Sequence, residues 1–343
     1  LLLVSPMISL FNRIKISLVY RYRFRYFKVT NFFWNSITKL LISNKRKKGI
    51  RNSLYVFVPV WGEKHIDWFF KYTFPSLLKS KNFPLISQKK KIKIFFFTKD
   101  NEFAVLDERM KNHSSNYEYS IFVESNFKDK ARDMMSNFFI YILKACIEDN
   151  ALLLIAQPDL IFSNGSIYNL VTLSDDKGVS VSVPSARVSF ESIEKSNFDI
   201  SSEYPNLVDL IINHPHESVL NANEDNDENT TLSGLSTKKI STGLAVISNI
   251  PCTFLSNPTK SDLSFFNRRP GFNIIDKVWQ DMLFRESRLK IIGSSDIATI
   301  VELTNDDDKC IALSPNMRLN DFYPGYPSFM QHSNVVIGLW RKS

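Results

Sequence analysis

Glycine is scarce in this chain, ten in 343 residues, and the glycine-rich phosphate loops are missing with it. No Walker A loop and no GxGxxG run occurs, which argues against a P-loop nucleotidase and a dinucleotide-dependent dehydrogenase. No GxSxG elbow occurs either, so an α/β-hydrolase nucleophile is not expected. Cysteine is scarcer still. Cys146, Cys252 and Cys310 stand far apart, with no CxxC pair. That argues against a disulfide framework or a cysteine-held zinc, and for a reducing compartment. No apolar run reaches the roughly 18–20 residues that span a bilayer. Leu1–Leu10 is apolar but short, and basic residues follow it rather than precede it, the wrong order for a secretory signal. The chain opens without methionine, so it reads either as a fragment or as starting at Met7.

Acidic residues are absent from the first part of the chain. Residues 1–51 carry twelve of the 43 Lys and Arg and no Asp or Glu; the first acid is Glu63. The rest holds 31 basic side chains against 35 acidic ones. The formal charge of +8 therefore describes a basic, aromatic extension (1–51) on a mildly acidic body (52–343). In the extension, Tyr20 to Tyr26 alternates aromatic and arginine with period two. Residues 31–43 have helical apolar spacing. This segment has three readings: a surface for an anionic membrane, a nucleic-acid binder, or a bare extension. The first is preferred, with no specific nucleic acid expected. It gives a cytoplasmic protein peripheral to the inner membrane.

The body alternates strand and helix. Leu54 to Val60 is a continuous apolar run, as in a strand buried on both faces. His65 to Leu78 has helical spacing, Ile92 to Thr98 reads as a second strand, and Asp100 to Met110 as a helix. Tyr119 to Val123 is a third strand, Phe127 to Glu148 a long helix and Ala151 to Ala156 a fourth strand. This order predicts an α/β fold with a mostly parallel sheet flanked by helices. Beyond 160 the pattern loosens. A helix is expected at Ile167 to Leu173, a strand at Val179 to Val183, and a helix in the second half of Phe198 to Asn221. Strands are expected at Ile240 to Ile247 and Lys290 to Ile292, with a helix near Ile275 to Phe284 between them. In such sheets ligands bind at the carboxyl ends of the strands. Those ends are Pro59–Glu63, Thr98–Asp100 and Gln157–Asp159.

The segment Leu152 to Ser166 delivers one carboxylate, Asp159, to the end of a buried strand. Ser163-Asn164-Gly165-Ser166 follows, able to turn the chain and cap a helix. This segment resembles the Asp-x-Asp strand end of GT-A-type glycosyltransferases. Val58-Pro59-Val60-Trp61-Gly62-Glu63 looks like the opening of bacterial glycan-biosynthesis proteins related to them. The resemblance is scattered over about 54–280. It implies a GT-A-like, Rossmann-like domain whose nucleotide-binding half is 54–160 and whose acceptor-side half is 161–343. By position Asp159 matches the second Asp of the motif, and Gln157 stands where the first belongs.

What the resemblance implies for the site follows residue by residue. Pro59, Trp61, Gly62 and Glu63, with Thr98 and Asp100, would surround the donor's base and ribose. Trp61 would stack on the base or serve as a core aromatic. Asp159 would ligate Mg²⁺ or Mn²⁺, orient the donor, or merely end its strand; Gln157 is a poorer ligand for such an ion. Lys130 and Arg132 would reach the diphosphate or form a solvated helix end beside Asp129 and Asp133. Arg187 would clamp a phosphate or an acidic acceptor. Thr242 and Gly243 would line the acceptor side, and Asp276, with Glu191 as runner-up, would be the catalytic base. Apart from the resemblance, His214-Pro215-His216-Glu217 reads as a turn or as part of a metal site with His332. The implied reaction is sugar transfer from a nucleotide-sugar to a glycan or lipid-linked acceptor. A nucleotidyltransferase of similar fold, or a non-catalytic nucleotide- or glycan-binding protein on a decayed transferase fold, is the alternative.

Overall fold

The computed structural model describes residues 51–113, 116–124, 131–196, 198, 207–221, 236–241, 244–248, 253–268, 279–307 and 334–338. All lie in one of the two compact units into which the chain divides; the other, 1–47 with 320–326, lies outside the described residues. Strand β1 (Ser53–Pro59) leads into helix α1 (Glu63–Trp68), a π-helical turn (Phe69–Thr73) and α2 (Phe74–Leu77). Then come α3 (Phe83–Ser87), β2 (Lys91–Lys99), a 3₁₀ turn (Asp100–Glu102), α4 (Phe103–Lys111) and β3 (Glu118–Glu124). Next are α5 (Ala131–Glu148), β4 (Ala151–Ile155), β5 (Leu160–Phe162), α6 (Ser166–Lys177), β6 (Ser180–Val183) and β7 (Ala186–Ser189). Three short helices follow, α7 (Phe190–Ser196), α8 (Leu207–Asn213) and α9 (Glu217–Asn221), and then β8 (Ser236–Ser241), β9 (Leu244–Ser248) and β10 (Thr253–Ser256). The described chain closes with α10 (Lys260–Arg268), α11 (Gln280–Arg285), β11 (Leu289–Ile291), β12 (Ile300–Thr304) and β13 (Asn334–Gly338).

The main sheet has seven strands in the order β11-β6-β10-β4-β1-β2-β3. β3, β2, β1 and β4 run parallel, β10 is antiparallel to both its neighbours, and β11 is parallel to β6. The expected fold class is therefore the observed one, a mostly parallel α/β sheet flanked by helices. Two three-stranded sheets accompany it, β5-β12-β7 and β13-β9-β8.

The apolar strands are explained by what covers each face. In β1, Leu54, Val56 and Val58 join a core with Ile94, Phe96, Leu152 and Leu154, under Ile66, Phe69, Phe74, Leu106 and Leu170. Their neighbours Tyr55 and Phe57 join Phe95, Phe97, Leu153 and Ile155 on the opposite face. That face is covered by Phe139, Leu143 and Cys146 of α5, with Phe266, Trp279 and Leu283. Alternate residues of one strand thus feed two cores, which leaves no polar position to show a period of two. A third core lies on the small sheet, where Ile161, Ala186, Val188, Val301 and Leu303 meet Ile193, Leu207 and Leu210.

The structure differs locally from the sequence reading at three places. The single helix expected over 65–78 is interrupted by the π turn. Pro75 has no N–H to give to the carbonyl four residues earlier, and its ring crowds that carbonyl. The apolar stretch near 240–247 is two antiparallel strands, β8 and β9, rather than one. The helix at 166–177 is not capped by its own serines. Asn82, fully buried, accepts hydrogen bonds from the Gly165 and Ile167 N–H groups at 3.1 and 3.0 Å. Gly165, at φ 94°, makes the left-handed turn into that helix. Among the described residues no helix is long and apolar enough to cross a membrane.

Candidate functional site

Strand order locates the site. From β1 the chain builds outward through β2 to β3, then returns to place β4 on the other side of β1. A parallel sheet whose order reverses in this way opens a crevice between the two strands at their carboxyl ends, because the connections leave in opposite directions. By that rule the candidate site lies between Val60–Glu63 after β1 and Ala156–Asp159 after β4. The last rungs before the chains diverge are Val60 N–H to the Phe97 carbonyl and Ala156 N–H to the Phe57 carbonyl, both 2.9 Å.

On the β1 side, Pro59 is buried and Trp61 half-buried, its ring edge-on to Phe97 with centroids 6.4 Å apart. Gly62 has φ 84° and ψ 134°, a conformation that side chains with Cβ rarely adopt. Glu63 and Asp100 are exposed, whereas Thr98 is fully buried. A residue the sequence reading missed joins these pieces. Glu102 accepts the Gly62 N–H at one carboxylate oxygen, 2.8 Å, and the Thr98 hydroxyl at the other, 2.9 Å. The available signal was its place at the end of the Thr98–Glu102 turn, on the same crevice edge as Asp100.

On the β4 side, the turn Gln157-Pro158-Asp159 is held from two directions. The Thr73 hydroxyl, at the end of the π turn, donates to the Pro158 carbonyl at 2.7 Å. The Leu303 N–H of β12 donates to the Asp159 carbonyl at 2.7 Å. Gln157 and Asp159 are both half-buried. Asp159 is thereby fixed at the seam between the main sheet and the small one. The π turn that Pro75 imposes is part of what holds it.

Arg187 and Glu191 stand on and just after β7, beyond this seam. The Arg187 Nε lies 3.0 Å from Oε1 of Glu302, a buried carboxylate that also accepts the Ser185 hydroxyl at 3.2 Å. Glu191 accepts the Asp306 N–H at 2.9 Å. Arg132 lies in the first turn of α5. Lys130, Asp276, Thr242 and Gly243 lie outside the described residues.

The histidine motif holds loops. His216 is buried; its Nδ1 accepts the Ser218 N–H at 3.1 Å and its Nε2 faces the Asn305 carbonyl at 2.9 Å. That pattern assigns the proton to Nε2. The His214 ring is hydrogen-bonded to the Ser192 hydroxyl at 2.7 Å. As for the divalent ion, the crevice offers one carboxylate at the motif, Asp159, beside the neutral amide of Gln157. Among the described residues no three His, Cys, Asp or Glu come together as a ligand set. These residues do not fit an ion held by protein side chains.

No known sequence family and no curated protein matches the chain. Solved structures with some likeness include 4-diphosphocytidyl-2C-methyl-D-erythritol synthase from Anaerococcus prevotii, at 8% identity and TM-score 0.27, over 39% of this chain and 56% of that one. Mouse xyloside xylosyltransferase 1 matches at 8% identity and TM-score 0.30, over 42% and 57%. The inositol-1-phosphate CTP transferase from T. maritima matches at 11% and 0.32, over 74% and 90%. The chain spans little more than half the length of the first two. The fold assignment rests on the strand order and register above.

Proposed function

We propose that the body is a glycosyltransferase that takes a sugar from a nucleotide-sugar donor and places it on a hydroxyl of a glycan or lipid-linked acceptor. The observation that carries this reading is the switch point between β1 and β4. Gly62 and Trp61 stand on one side of it and, on the other, Asp159, whose carbonyl is held by the Leu303 N–H. The base and ribose lie against Trp61, Gly62 and Asp100, with Thr98 buried behind them, and the sugar lies toward Asp159. In the transfer the bond from the anomeric carbon to the diphosphate breaks. A bond to the acceptor oxygen forms, and the acceptor's proton passes to a carboxylate base, Asp276 or Glu191. The leaving nucleoside diphosphate departs with the electron pair. Cationic side chains at Arg132, Lys130 and Arg187 are the candidates to neutralise it. Asp159 orients the donor. The basic extension attaches the protein to an anionic membrane, where lipid-linked acceptors reside.

The neutral Gln157 favours one other reading, a nucleotide- or glycan-binding protein without turnover. Thermal stabilisation and donor hydrolysis across a panel of nucleotide sugars, with and without Mn²⁺, separate the two. The transferase is expected to be stabilised by one donor and to hydrolyse it slowly, and Asp159→Ala to lose hydrolysis while keeping its fold. Binding without hydrolysis or transfer supports the second reading. No response to any nucleotide sugar sinks both donor-dependent readings. Pyrophosphate release from a nucleoside triphosphate and a sugar phosphate would instead identify a nucleotidyltransferase.

A further inference from the structure

One carboxylate, Glu102, bridges the exits of β1 and β2. Val60 makes the last ladder bond of β1, to the Phe97 carbonyl, and the next backbone donor fixed across the strands is the Gly62 N–H. Glu102 takes the Gly62 N–H at 2.8 Å and the Thr98 hydroxyl at 2.9 Å. Thr98 is fully buried in β2, so the carboxylate is anchored on the sheet and reaches across to the turn after β1. The residue it holds, Gly62, has φ 84°, a conformation open to glycine, and its carbonyl accepts the Ile66 N–H at 3.1 Å, so Glu102 fixes the remaining backbone donor of the turn. The β4 side of the crevice has its own, separate supports in Thr73 and Leu303.

We propose that Glu102 is a specificity-determining positioning residue for the nucleoside half of the donor. It sets the Trp61–Gly62 turn against which base and ribose lie. This rests on the nucleotide reading of the crevice given above. Because the two sides of the crevice are held independently, loss of Glu102 loosens recognition of the nucleoside and leaves recognition of the diphosphate intact. The conservative replacement is informative. A glutamine can still accept the Gly62 N–H through its oxygen, and its amide can donate to the Thr98 hydroxyl oxygen. Alanine can do neither.

The test is calorimetric titration of the full chain with the nucleoside monophosphates and diphosphates of uracil, cytosine, guanine and adenine, with pyrophosphate as competitor. Glu102→Ala is expected to weaken the preferred nucleotide about tenfold, by the same factor for mono- and diphosphate. Its competition constant for pyrophosphate is expected to match wild type, and its preference among bases to narrow. Glu102→Gln restores affinity to within about threefold. Thr98→Val, which removes one of the two ties, falls between and keeps the proposal testable if Glu102→Ala does not fold. Wild-type affinity in both Glu102→Ala and Thr98→Val overturns the proposal. So does a parallel loss of pyrophosphate competition, the mark of general collapse. A wild-type chain that binds no nucleotide at all overturns the nucleotide reading itself, and is seen before any variant is made.

Discussion

Asp262 and Arg288 form an ion pair inside the body, with the Asp262 side chain fully buried and Arg288 nearly so. Asp262 also accepts the Thr259 N–H and hydroxyl, both 2.7 Å, and the Trp279 indole N–H at 3.1 Å. It therefore caps the start of α10, binds the indole that fills the second core, and neutralises the arginine. Arg288 has a second carboxylate, Glu286, at 2.9 Å. The two partners are thus unequal. Asp262→Ala leaves three donors without their acceptor and Arg288 with Glu286 as its remaining carboxylate, and is expected to destabilise by about 4 kcal/mol; Arg288→Met leaves a carboxylate still holding three hydrogen bonds, and should cost about 2 kcal/mol. Urea unfolding followed by tryptophan fluorescence measures both, and equal losses would contradict this division of roles.

Gly62→Ala isolates backbone strain at the crevice. A Cβ there would meet only His65 Nδ1 at 3.8 Å, an ordinary contact, so sterics contribute nothing. The cost comes from φ 84° alone, about 1–2 kcal/mol for a residue with a side chain. The expected outcome is a modest fall in the unfolding midpoint and a clear loss of nucleotide affinity, as the turn relaxes away from Glu102. Unchanged affinity would show that the turn does not touch the ligand.

The parallel half of the fold was legible because each of its strands is a local apolar run. Leu54 to Val60, Ile92 to Thr98 and Ala151 to Ala156 all needed no partner to be recognised. β7, β10 and β12 were not legible. Each is only four or five residues long and pairs with strands far away in the chain, as Glu302 does with Arg187 and Leu160. The site divided in the same way. Pro59, Trp61, Gly62, Thr98, Gln157 and Asp159 lie at or just beyond the ends of legible strands, so their place in the sheet could be read from the sequence. Arg187's partner Glu302 was invisible because 115 residues separate them in sequence. Two local signals were present and unread: the Thr259-x-x-Asp262 capping spacing and the Thr98-x-x-x-Glu102 turn.

Tyr55 gives a pH prediction. Burial, then its hydrogen bond to Asp149, raises the phenol above the ordinary tyrosine range. Burial also raises Tyr72, with a hydrogen bond to Glu194 adding to it. A group raised on folding stabilises fully below its unfolded value, near pH 10, and loses that contribution as pH rises through the folded value. Stability should therefore hold to about pH 10 and fall above it. Tyr55→Phe, which cannot ionise, should be less stable at pH 7 and show a shallower decline above pH 10. Spectrophotometric titration of tyrosinate, compared with the unfolded chain, reads the same shift directly. A Tyr55 that ionises in step with the unfolded chain would refute it.

Arg51 decides where the basic extension can be removed. Its guanidinium donates to Asn257 through Nε at 2.8 Å, to Asn150 at 2.7 Å and to the Pro258 carbonyl at 3.0 Å. Its own carbonyl accepts a bond from Lys90, whose ammonium is buried against Asp175 at 2.7 Å. These ties strap the amino ends of β1 and β2 to the loops after α5 and β10, the pole opposite the crevice. Deleting residues 1–50 should leave the unfolding midpoint and nucleotide binding unchanged. Carrying the deletion through Arg51, or making Arg51→Ala, should cost about 2 kcal/mol, the low range for several charge-assisted hydrogen bonds that are partly exposed. If the extension is the membrane device, the 1–50 deletion abolishes co-sedimentation with vesicles containing phosphatidylglycerol, and the intact chain does not sediment with purely zwitterionic ones. Persistent vesicle binding after the deletion would place the membrane surface on the body instead.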